Sequence, residues 1–371
     1  MKKNKKTVFF GPFVGEFGWE IMYWQGWGKK LCRGKYRRYH KIACSFPWRN
    51  PLYPDVDEFW KLPKEFLKNQ ISSRSYITDN WIKGFPKPDS QKIKIVEVAP
   101  LFGKIVKKFK KKLPQTTIFV SPTEIIKDTE SEKFYGTHIP KSPKSDDEFV
   151  TYAIPYSDQV LEYLQPTNKG IILLKETVDP KERIIAIFPR CRITRRPDKN
   201  WSKENYEELI RKLQKEFPLF KIAIFGEPGG AYFTEGVPKG CVDLINIKPE
   251  YRMDIQLAAL KQSVIALGGQ SGGIVFALAA GCRAFCWGNL SYAKGISNEN
   301  YMKTKVIFYP DINPSIETVM ENVLWILDKG KRPYLSQAKS FILITGYNLI
   351  PKSIKKSKGL AKFKKNIISK I

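Results

Sequence analysis

The chain has 371 residues, of which 42% are hydrophobic and 13% aromatic, and its 64 Lys and Arg residues outnumber its 36 Asp and Glu residues by 28. This length predicts two domains of roughly 150 residues each, and the apolar content excludes wholesale disorder and a collagen-like structure. No run of 18 apolar residues occurs, and the N-terminal lysines lead into only a short apolar strand. We therefore predict a cytoplasmic protein with neither a transmembrane span nor a signal peptide.

The cysteines and histidines do not form a metal-binding pattern. Six cysteines are scattered without paired C-x-x-C spacing, and only two histidines accompany them. Zinc sites need clustered ligands, so we predict no bound metal and mostly buried, reduced thiols. Because both histidines lie outside any recognisable motif, acid-base chemistry is expected from a carboxylate.

The first half of the chain opens with a strand, a glycine-rich turn and a helix. The predicted strand is Thr7–Phe10, the turn covers residues 11–18, and the helix covers residues 19–31. Residues 121–150 are rich in Ser, Pro, Lys and Asp and predict a long loop. Further strands are predicted at 41–46, 93–98 and 117–120, with a basic helix at 105–112.

In the second half, apolar runs of strand length alternate with amphipathic runs of helix length. Such alternation is typical of βαβ units and predicts a parallel sheet with helices on both faces. Ser202 is a predicted N-cap of the first of these helices. The predicted strands are 183–188, 220–225, 241–245, 264–267, 283–287 and 305–308, and the predicted helices are 203–217, 253–262, 274–280 and 316–327.

The two halves together predict an α/β fold with two doubly wound, Rossmann-like domains that face a cleft. We place an acceptor-side domain at 1–170, a donor-side domain at 171–330 and a basic tail at 331–371, with the boundary region near 165–182. Ligands of such sheets bind at the carboxyl ends of the strands. The cleft between the domains is therefore the expected functional site.

The glycine-rich segment 268–273 lies between a predicted buried strand and an apolar helix. Free backbone N–H groups and the positive end of the helix can hold a phosphate there, which makes Gln270, Ser271, Gly272 and Gly273 candidate ligands. The segment matches neither G-x-G-x-x-G nor the P-loop. The alternative interpretation is a tight turn that needs small residues for close packing.

A cationic loop follows the first strand of the second half. Arg190 lies two residues after the end of this strand, Lys199 lies shortly before the next helix, and Arg192 lies between them. Guanidinium forks bind phosphate bidentately and lysine supplies a point charge, so the loop can stabilise a diphosphate. The alternative is a solvated basic loop.

The turn after the first strand carries a carboxylate between glycines. Glu16 is positioned to take a proton from an acceptor hydroxyl, and we predict it as the catalytic base. Gly15, Gly18 and Glu20 are predicted on the acceptor side. A charge that stabilises the N-terminus of its own helix is the alternative role of Glu16.

Residues 183–290 resemble the GT-B glycosyltransferases, above all the heptosyltransferase-like group, glycosyltransferase family 9. The resemblance rests on an ordered set of short motifs: Pro189-Arg190, Lys199-Asn200-Trp201-Ser202, Phe225-Gly226, Ser271-Gly272-Gly273, Ala279-Ala280-Gly281 and Trp287-Gly288. It implies a nucleotide-sugar donor whose diphosphate is held by the Ser-Gly turn and the cationic loop. The donor is a substrate, so no cofactor is expected.

The implied reaction is metal-independent transfer of a sugar to a hydroxyl of a glycan or lipid-linked acceptor. The chain has Gly15-Glu16 where the heptosyltransferase-like group has a Gly-Asp step. The chain also resembles fucosyltransferase-like enzymes, which use an arginine near the pyrophosphate. Hexosyl, heptosyl and fucosyl transfer are therefore all possible reactions.

The excess positive charge leaves a second class of function open. Residues 331–371 contain eleven Lys and Arg and no acidic residue, so this tail is expected to attract an anionic membrane surface. A non-catalytic protein that binds polyanions at a membrane or on RNA is the alternative. Nucleic acid is not the expected partner, because no RRM, KH or helix-turn-helix signature is present.

Overall fold

The structure, a computed structural model, describes residues 6–13, 17–64, 106–120, 156–192, 197–290, 296 and 300–327. The predicted strand at 93–98, the predicted loop at 121–150 and the basic tail at 331–371 lie outside the described residues. Within the described ranges, no helix has both the length and the apolar character needed to cross a bilayer.

Within the described part of the first half, four strands form a parallel sheet in the order β3-β2-β1-β4. After β1, a short helical turn (Phe17–Trp19), a π-helix (Glu20–Trp24) and helix α1 (Gln25–Arg33) succeed one another directly. Residues 106–112 are helical and precede β4. The short edge strand β3 was not predicted, because its Glu-Phe-Trp-Lys sequence carries little apolar signal. The strands are β1 (Thr7–Phe10), β2 (His40–Ser45), β3 (Glu58–Lys61) and β4 (Ile118–Val120).

The second half forms a six-stranded parallel sheet in the order β10-β9-β8-β5-β6-β7. The chain moves outward from β5 to β7 and then restarts on the other side of β5 with β8. This reversal creates a switch point between β5 and β8, where ligands of doubly wound sheets bind. The strands are β5 (Arg183–Phe188), β6 (Phe220–Ile224), β7 (Cys241–Asp243), β8 (Ser263–Gly269), β9 (Ala284–Trp287) and β10 (Val306–Tyr309).

Among the described residues, five helices of three or more residues that are named below accompany this sheet, and the predicted cap of one is confirmed. The Ser202 hydroxyl accepts a hydrogen bond from the backbone N–H of Asn205 at 3.1 Å, which satisfies one free donor of the first turn. The helices are α2 (Asn168–Lys175), α3 (Lys203–Glu216), α4 (Pro249–Gln262), α5 (Gly272–Ala279) and α6 (Ile316–Ile326).

Helix α2 occupies the region where we placed the domain boundary. Thr167 caps it, and the Asp254 carboxylate on α4 accepts hydrogen bonds from the backbone N–H and the hydroxyl of Thr167. Gly170 lies against Asp254 so closely that a Cβ there would be 2.6 Å from the carboxyl carbon. The predicted division between 170 and 171 therefore falls inside a helix that packs on the second domain.

Strand β5 is buried on both faces, which explains its unbroken apolar sequence. Ala186 and Phe188 belong to one core cluster, and Ile185 and Ile187 belong to another on the opposite face of the sheet. The first cluster continues through the α5 helix to Phe10 and Trp24 of the first domain. The two sheets thus share one core, and their carboxyl ends open onto the same cleft.

Candidate active site

A cleft of about 400 Å³ lies between the two domains. The second domain contributes the loops that follow β5, β6 and β8 and the first turns of α4, whereas the first domain contributes the segment after β1 and Trp48, which follows β2. All of the candidate donor ligands line this cleft: Arg190, Arg192, Lys199, Gln270, Ser271, Gly272 and Gly273. The structure therefore brings the glycine-rich turn and the cationic loop together.

The glycine-rich turn ends at the N-terminus of α5. Ser271 is the N-cap residue, but its side chain makes no capping hydrogen bond to the helix. The first backbone N–H groups of a helix have no partner within the helix, and the helix dipole adds positive potential at that end. This end of the cleft is consequently suited to bind an anion.

Two glycines of this turn have different surroundings. A Cβ on Gly273 would lie 2.5 Å from Cδ1 of Phe188, so only glycine fits against that ring. A Cβ on Gly272 would lie 3.5 Å from the backbone nitrogen of Gly18, an ordinary van der Waals distance. Close packing therefore explains why residue 273 is a glycine, whereas Gly272 faces the first domain across the cleft.

Asn200 organises the cationic loop. Its side-chain oxygen accepts hydrogen bonds from Nη1 of Arg190 and from the backbone N–H of Arg192, and its side-chain nitrogen donates to the Arg192 carbonyl at 2.9 Å. Arg190 is 8% exposed and is held in the cleft wall by this contact. Asn200 thus fixes the conformation of the cationic loop and the direction of the Arg190 guanidinium.

The cleft also contains a carboxylate, Glu227, which follows β6. Burial raises the pKa of Glu227, while the charges of Arg49, Arg252 and Arg192 oppose this rise. A carboxylate among arginines can accept hydrogen bonds from ligand hydroxyls without adding net negative charge to the site. Arg49 belongs to the first domain, so this electrostatic interaction crosses the cleft.

The first domain presents only part of the predicted acceptor side. Gly18 lines the cleft beside Gly272, and the Phe17 ring lies 5.3 Å from the Phe276 ring of α5. Gly15 and Glu16 lie outside the described residues, so their placement stays a prediction. Phe17, the next residue along the chain after Glu16, lines the cleft.

Glu20 is not part of the cleft wall, although we predicted it on the acceptor side. Its side chain is fully buried and its carboxylate accepts hydrogen bonds from Ser45, Arg49 and Tyr53. Burial raises the pKa of Glu20, and the Arg49 charge and the three hydrogen bonds oppose this effect. A direct contact with an acceptor does not fit this geometry; the carboxylate instead holds Arg49 in place.

Among the described residues, no group of three His, Cys, Asp or Glu side chains is arranged to hold a metal ion. The cations Arg190, Arg192 and Lys199 all line the cleft.

Several cleft residues were missed by the sequence analysis. Glu227 follows a predicted strand, so the rule that ligands meet strand ends could have identified it. Trp48 lies in a Trp- and Pro-rich connection whose sequence gave no periodic signal. Arg252 directly precedes the helix predicted at 253–262, and Gln256 lies within that helix, which was predicted from its apolar residues alone. Their position at the cleft depends on how β2 and α4 are placed in three dimensions.

The described architecture matches solved structures along most of its length. A family 9 glycosyltransferase from Veillonella parvula superposes with a TM-score of 0.51 at 11% sequence identity, and the match covers 89% of this chain and 99% of that one. The fold is that of the GT-B glycosyltransferases. This confirms the predicted fold class and, at the level of fold, the predicted resemblance to family 9.

Two further similar structures are heptosyltransferases from E. coli. The ADP-heptose heptosyltransferase II has a TM-score of 0.48 and 14% identity, with 87% of this chain and 99% of that chain covered. A second heptosyltransferase, solved with ADP, has a TM-score of 0.46 and 10% identity, with 86% and 99% covered. No family model matches the chain, and no curated protein matches its sequence.

Proposed function

We propose that this GT-B protein is a metal-independent glycosyltransferase that moves a sugar from a nucleotide-sugar donor to a hydroxyl of a glycan or lipid-linked acceptor. One observation carries the proposal: Arg190, Arg192, Lys199 and the N-terminus of α5 converge on one cleft at the switch point of a doubly wound sheet. The similarity in fold to a family 9 glycosyltransferase supports the same class of reaction.

In the proposed reaction, the bond between the anomeric carbon and the diphosphate oxygen breaks as the acceptor oxygen attacks that carbon. The nucleoside diphosphate leaves with the bonding electrons. The three cations and the helix N-terminus stabilise its developing negative charge, as preorganised electrostatics do in many enzymes. These side chains take the role that a metal ion has in other transferases.

In this proposal, the carboxylate of Glu16 acts as the general base and takes the proton of the acceptor hydroxyl. General base catalysis contributes about 10² to 10⁴ to a rate, so Glu16→Gln should lower turnover at least a hundredfold while the donor affinity stays near wild type. Glu235→Gln, which changes an exposed glutamate, is the control. If the Glu16 variant keeps the wild-type rate, Glu16 is not the base, and its carboxylate has the alternative role of stabilising the N-terminus of its own helix.

The central experiment is calorimetric titration of the full chain with nucleoside diphosphates and nucleotide sugars in the presence of EDTA. Arg190→Ala should weaken binding by roughly 1.5 to 3 kcal/mol, the worth of a charge-assisted hydrogen bond. Arg211→Ala, which removes an exposed arginine of α3, is the matched control. If no nucleotide binds, while RNA or anionic vesicles bind both variants equally, the polyanion-binding alternative replaces the enzyme.

We further propose that the basic tail at 331–371 brings the protein to an anionic membrane surface, which would suit a lipid-linked acceptor. Each lysine or arginine near such a surface adds about 1 kcal/mol. Full-length protein should therefore pellet with anionic vesicles more strongly than a chain that ends at Lys329. Equal pelleting of the two chains would exclude the tail as the membrane contact.

A further inference from the structure

The helical residues 106–112 (the lysine helix) pack on one face of the first sheet. The Phe109 side chain is buried, and its ring centroid lies 5.4 Å from that of Phe9 and 5.7 Å from that of Trp60. Phe10, the next residue of β1, points to the opposite face and joins the core that is shared with the second domain. The lysine helix therefore covers the face of the first sheet that is turned away from this shared core.

The charge of the lysine helix has a single sign. Five of its seven residues are lysines, all five are exposed, and none of the seven is acidic. The absence of acids extends over residues 98–123, which contain six lysines. The helix thus carries five positive charges within about two turns. Its lysines are Lys107, Lys108, Lys110, Lys111 and Lys112.

Helical geometry directs these charges away from the sheet and brings them close to one another. About 3.6 residues make one turn, so Lys107 and Lys111 lie nearly opposite Phe109 around the helix. They are four residues apart, and like charges at this spacing destabilise a helix. In the described part of the chain, none of Lys107, Lys111 and Lys112 forms an ion pair with a carboxylate. A negative charge from outside the chain would relieve this repulsion.

Helix α3 shows that this chain mixes charges of both signs on another exposed helix. Lys203 pairs with Glu207 at 3.7 Å, and Lys212 pairs with Glu208 at 3.8 Å, each pair being four residues apart. A lysine-rich surface of this protein can therefore contain compensating acids, and the lysine helix contains none. The difference favours a binding surface over a helix face that is merely solvated.

We propose that the lysine helix docks the first domain on an anionic lipid bilayer, as a contact separate from the basic tail. The headgroup phosphates of anionic lipids supply the negative charge that the helix lacks. The negative potential of an anionic leaflet attracts lysines that come near it. The long side chain of lysine also lets its ammonium group reach a plane of headgroups while the helix itself stays outside.

The placement of the aromatic rings favours a bilayer over a single-stranded nucleic acid. Proteins bind such strands in basic grooves whose aromatic rings stack on the bases. Here the rings of Phe9, Trp60 and Phe109 pack against one another beneath the helix, and only the lysines project outward. The surface therefore offers charge without a stacking platform, which suits a layer of phosphates.

The docking face belongs to the domain on which we expect the acceptor to bind. A bilayer against the lysine helix would lie beside the first domain, so a lipid-linked acceptor would enter the cleft along that domain. This consequence rests on the proposed function, whereas the docking itself does not.

Co-sedimentation of the full-length protein with vesicles tests the contact. The anionic vesicles contain phosphatidylcholine and phosphatidylglycerol in equal parts, and vesicles of phosphatidylcholine are the uncharged reference. The test variant combines Lys107→Gln, Lys111→Gln and Lys112→Gln. It should bind the anionic vesicles at least tenfold more weakly than wild type, because each lysine near such a surface strengthens binding about fivefold.

The matched control variant combines Lys203→Gln, Arg211→Gln and Lys215→Gln, which remove three exposed cations of α3. Its net charge equals that of the test variant, so a difference between the two reports where the charge lies. It should bind nearly as wild type does, because charges more than about 8 Å from a surface are largely screened at physiological salt. Glutamine is a good helix former, so both variants should unfold close to the wild-type temperature.

The outcomes separate the docking face from the other proposals. Equal vesicle binding by the test and control variants, or no binding by the wild type, would overturn the docking face. A test variant that loses affinity for RNA or polyphosphate but keeps its vesicle binding would overturn it as well, because the partner would then be a soluble polyanion. Nucleotide titration decides the donor site separately: vesicle binding through the lysine helix without nucleotide binding supports the docking face and contradicts the glycosyltransferase.

Discussion

Glu20 and Arg49 form an ion pair in which both side chains are fully buried in the first domain. Ser45 and Tyr53 donate hydrogen bonds to the same carboxylate, and the Arg49 guanidinium lies 4.0 Å from the centroid of the Phe46 ring. The pair connects the π-helix after β1 to the segment after β2. Because Trp48 immediately precedes Arg49, the pair also fixes one wall of the cleft.

Glu20→Ala should destabilise the first domain by about 3 to 5 kcal/mol, because it leaves the Arg49 charge buried without its carboxylate. Urea unfolding followed by tryptophan fluorescence measures this change. Glu317→Ala, which removes an exposed ion pair with Lys212, is the control and should hardly move the unfolding midpoint. Equal midpoints for the two variants would contradict a structural role of Glu20.

Asn200→Ala should weaken nucleoside diphosphate binding by about threefold to tenfold. The variant removes the three hydrogen bonds that fix the cationic loop, but it removes no charge, and an ordinary hydrogen bond contributes about 0.5 to 1.5 kcal/mol. Calorimetry with the tightest-binding nucleoside diphosphate measures the loss. Asn313→Ala, at an exposed position between β10 and α6, should leave the affinity unchanged.

Much of the second domain could be predicted from its sequence. Strand β5 was predicted at Arg183–Phe188 as observed, and α3 was predicted from its Ser202 cap and its apolar face. These elements carry strong local signals, because a doubly buried strand is uniformly apolar and a helix cap has a specific chemistry. The donor-side candidates followed from their places at strand ends.

The first domain was harder to predict, for physical reasons that particular residues illustrate. Glu20 is polar and follows a glycine turn, so its sequence context resembles that of a cleft residue. Its burial depends on Arg49, which is 29 positions away along the chain. Helix α2 was missed because Gly170, which is required for contact with Asp254, looks like a helix breaker in the sequence.

Gly273→Ala should lower the stability of the second domain by about 1 to 3 kcal/mol, because the added methyl group would overlap the Phe188 ring. Thermal unfolding measures this effect. Gly28→Ala, in helix α1, adds the same group where nothing lies within 4 Å, and should be neutral or stabilising by roughly 0.5 to 1 kcal/mol. Similar unfolding temperatures for the two variants would contradict the close packing of Gly273.

Glu227 should make nucleotide affinity depend on pH. Burial raises the pKa of Glu227, so this carboxylate begins to take up a proton at a pH above the ordinary range of glutamate. Ligand hydroxyls bind the ionised form, so affinity should fall as the pH falls through this raised pKa. Glu227→Gln should bind roughly tenfold or more weakly at pH 8, because a charge-assisted hydrogen bond is lost, and its affinity should lack the acid-side fall.

The stability of the ligand-free protein should respond to Glu227 in the opposite direction. A carboxyl group whose pKa is raised by folding binds its proton more tightly in the folded state, so protonation stabilises the folded protein as the pH falls. The unfolding temperature of the wild type should thus rise relative to that of Glu227→Gln over the same pH interval in which nucleotide affinity falls. If the difference in unfolding temperature between the wild type and Glu227→Gln stays constant while affinity falls, Glu227 is not the group that titrates.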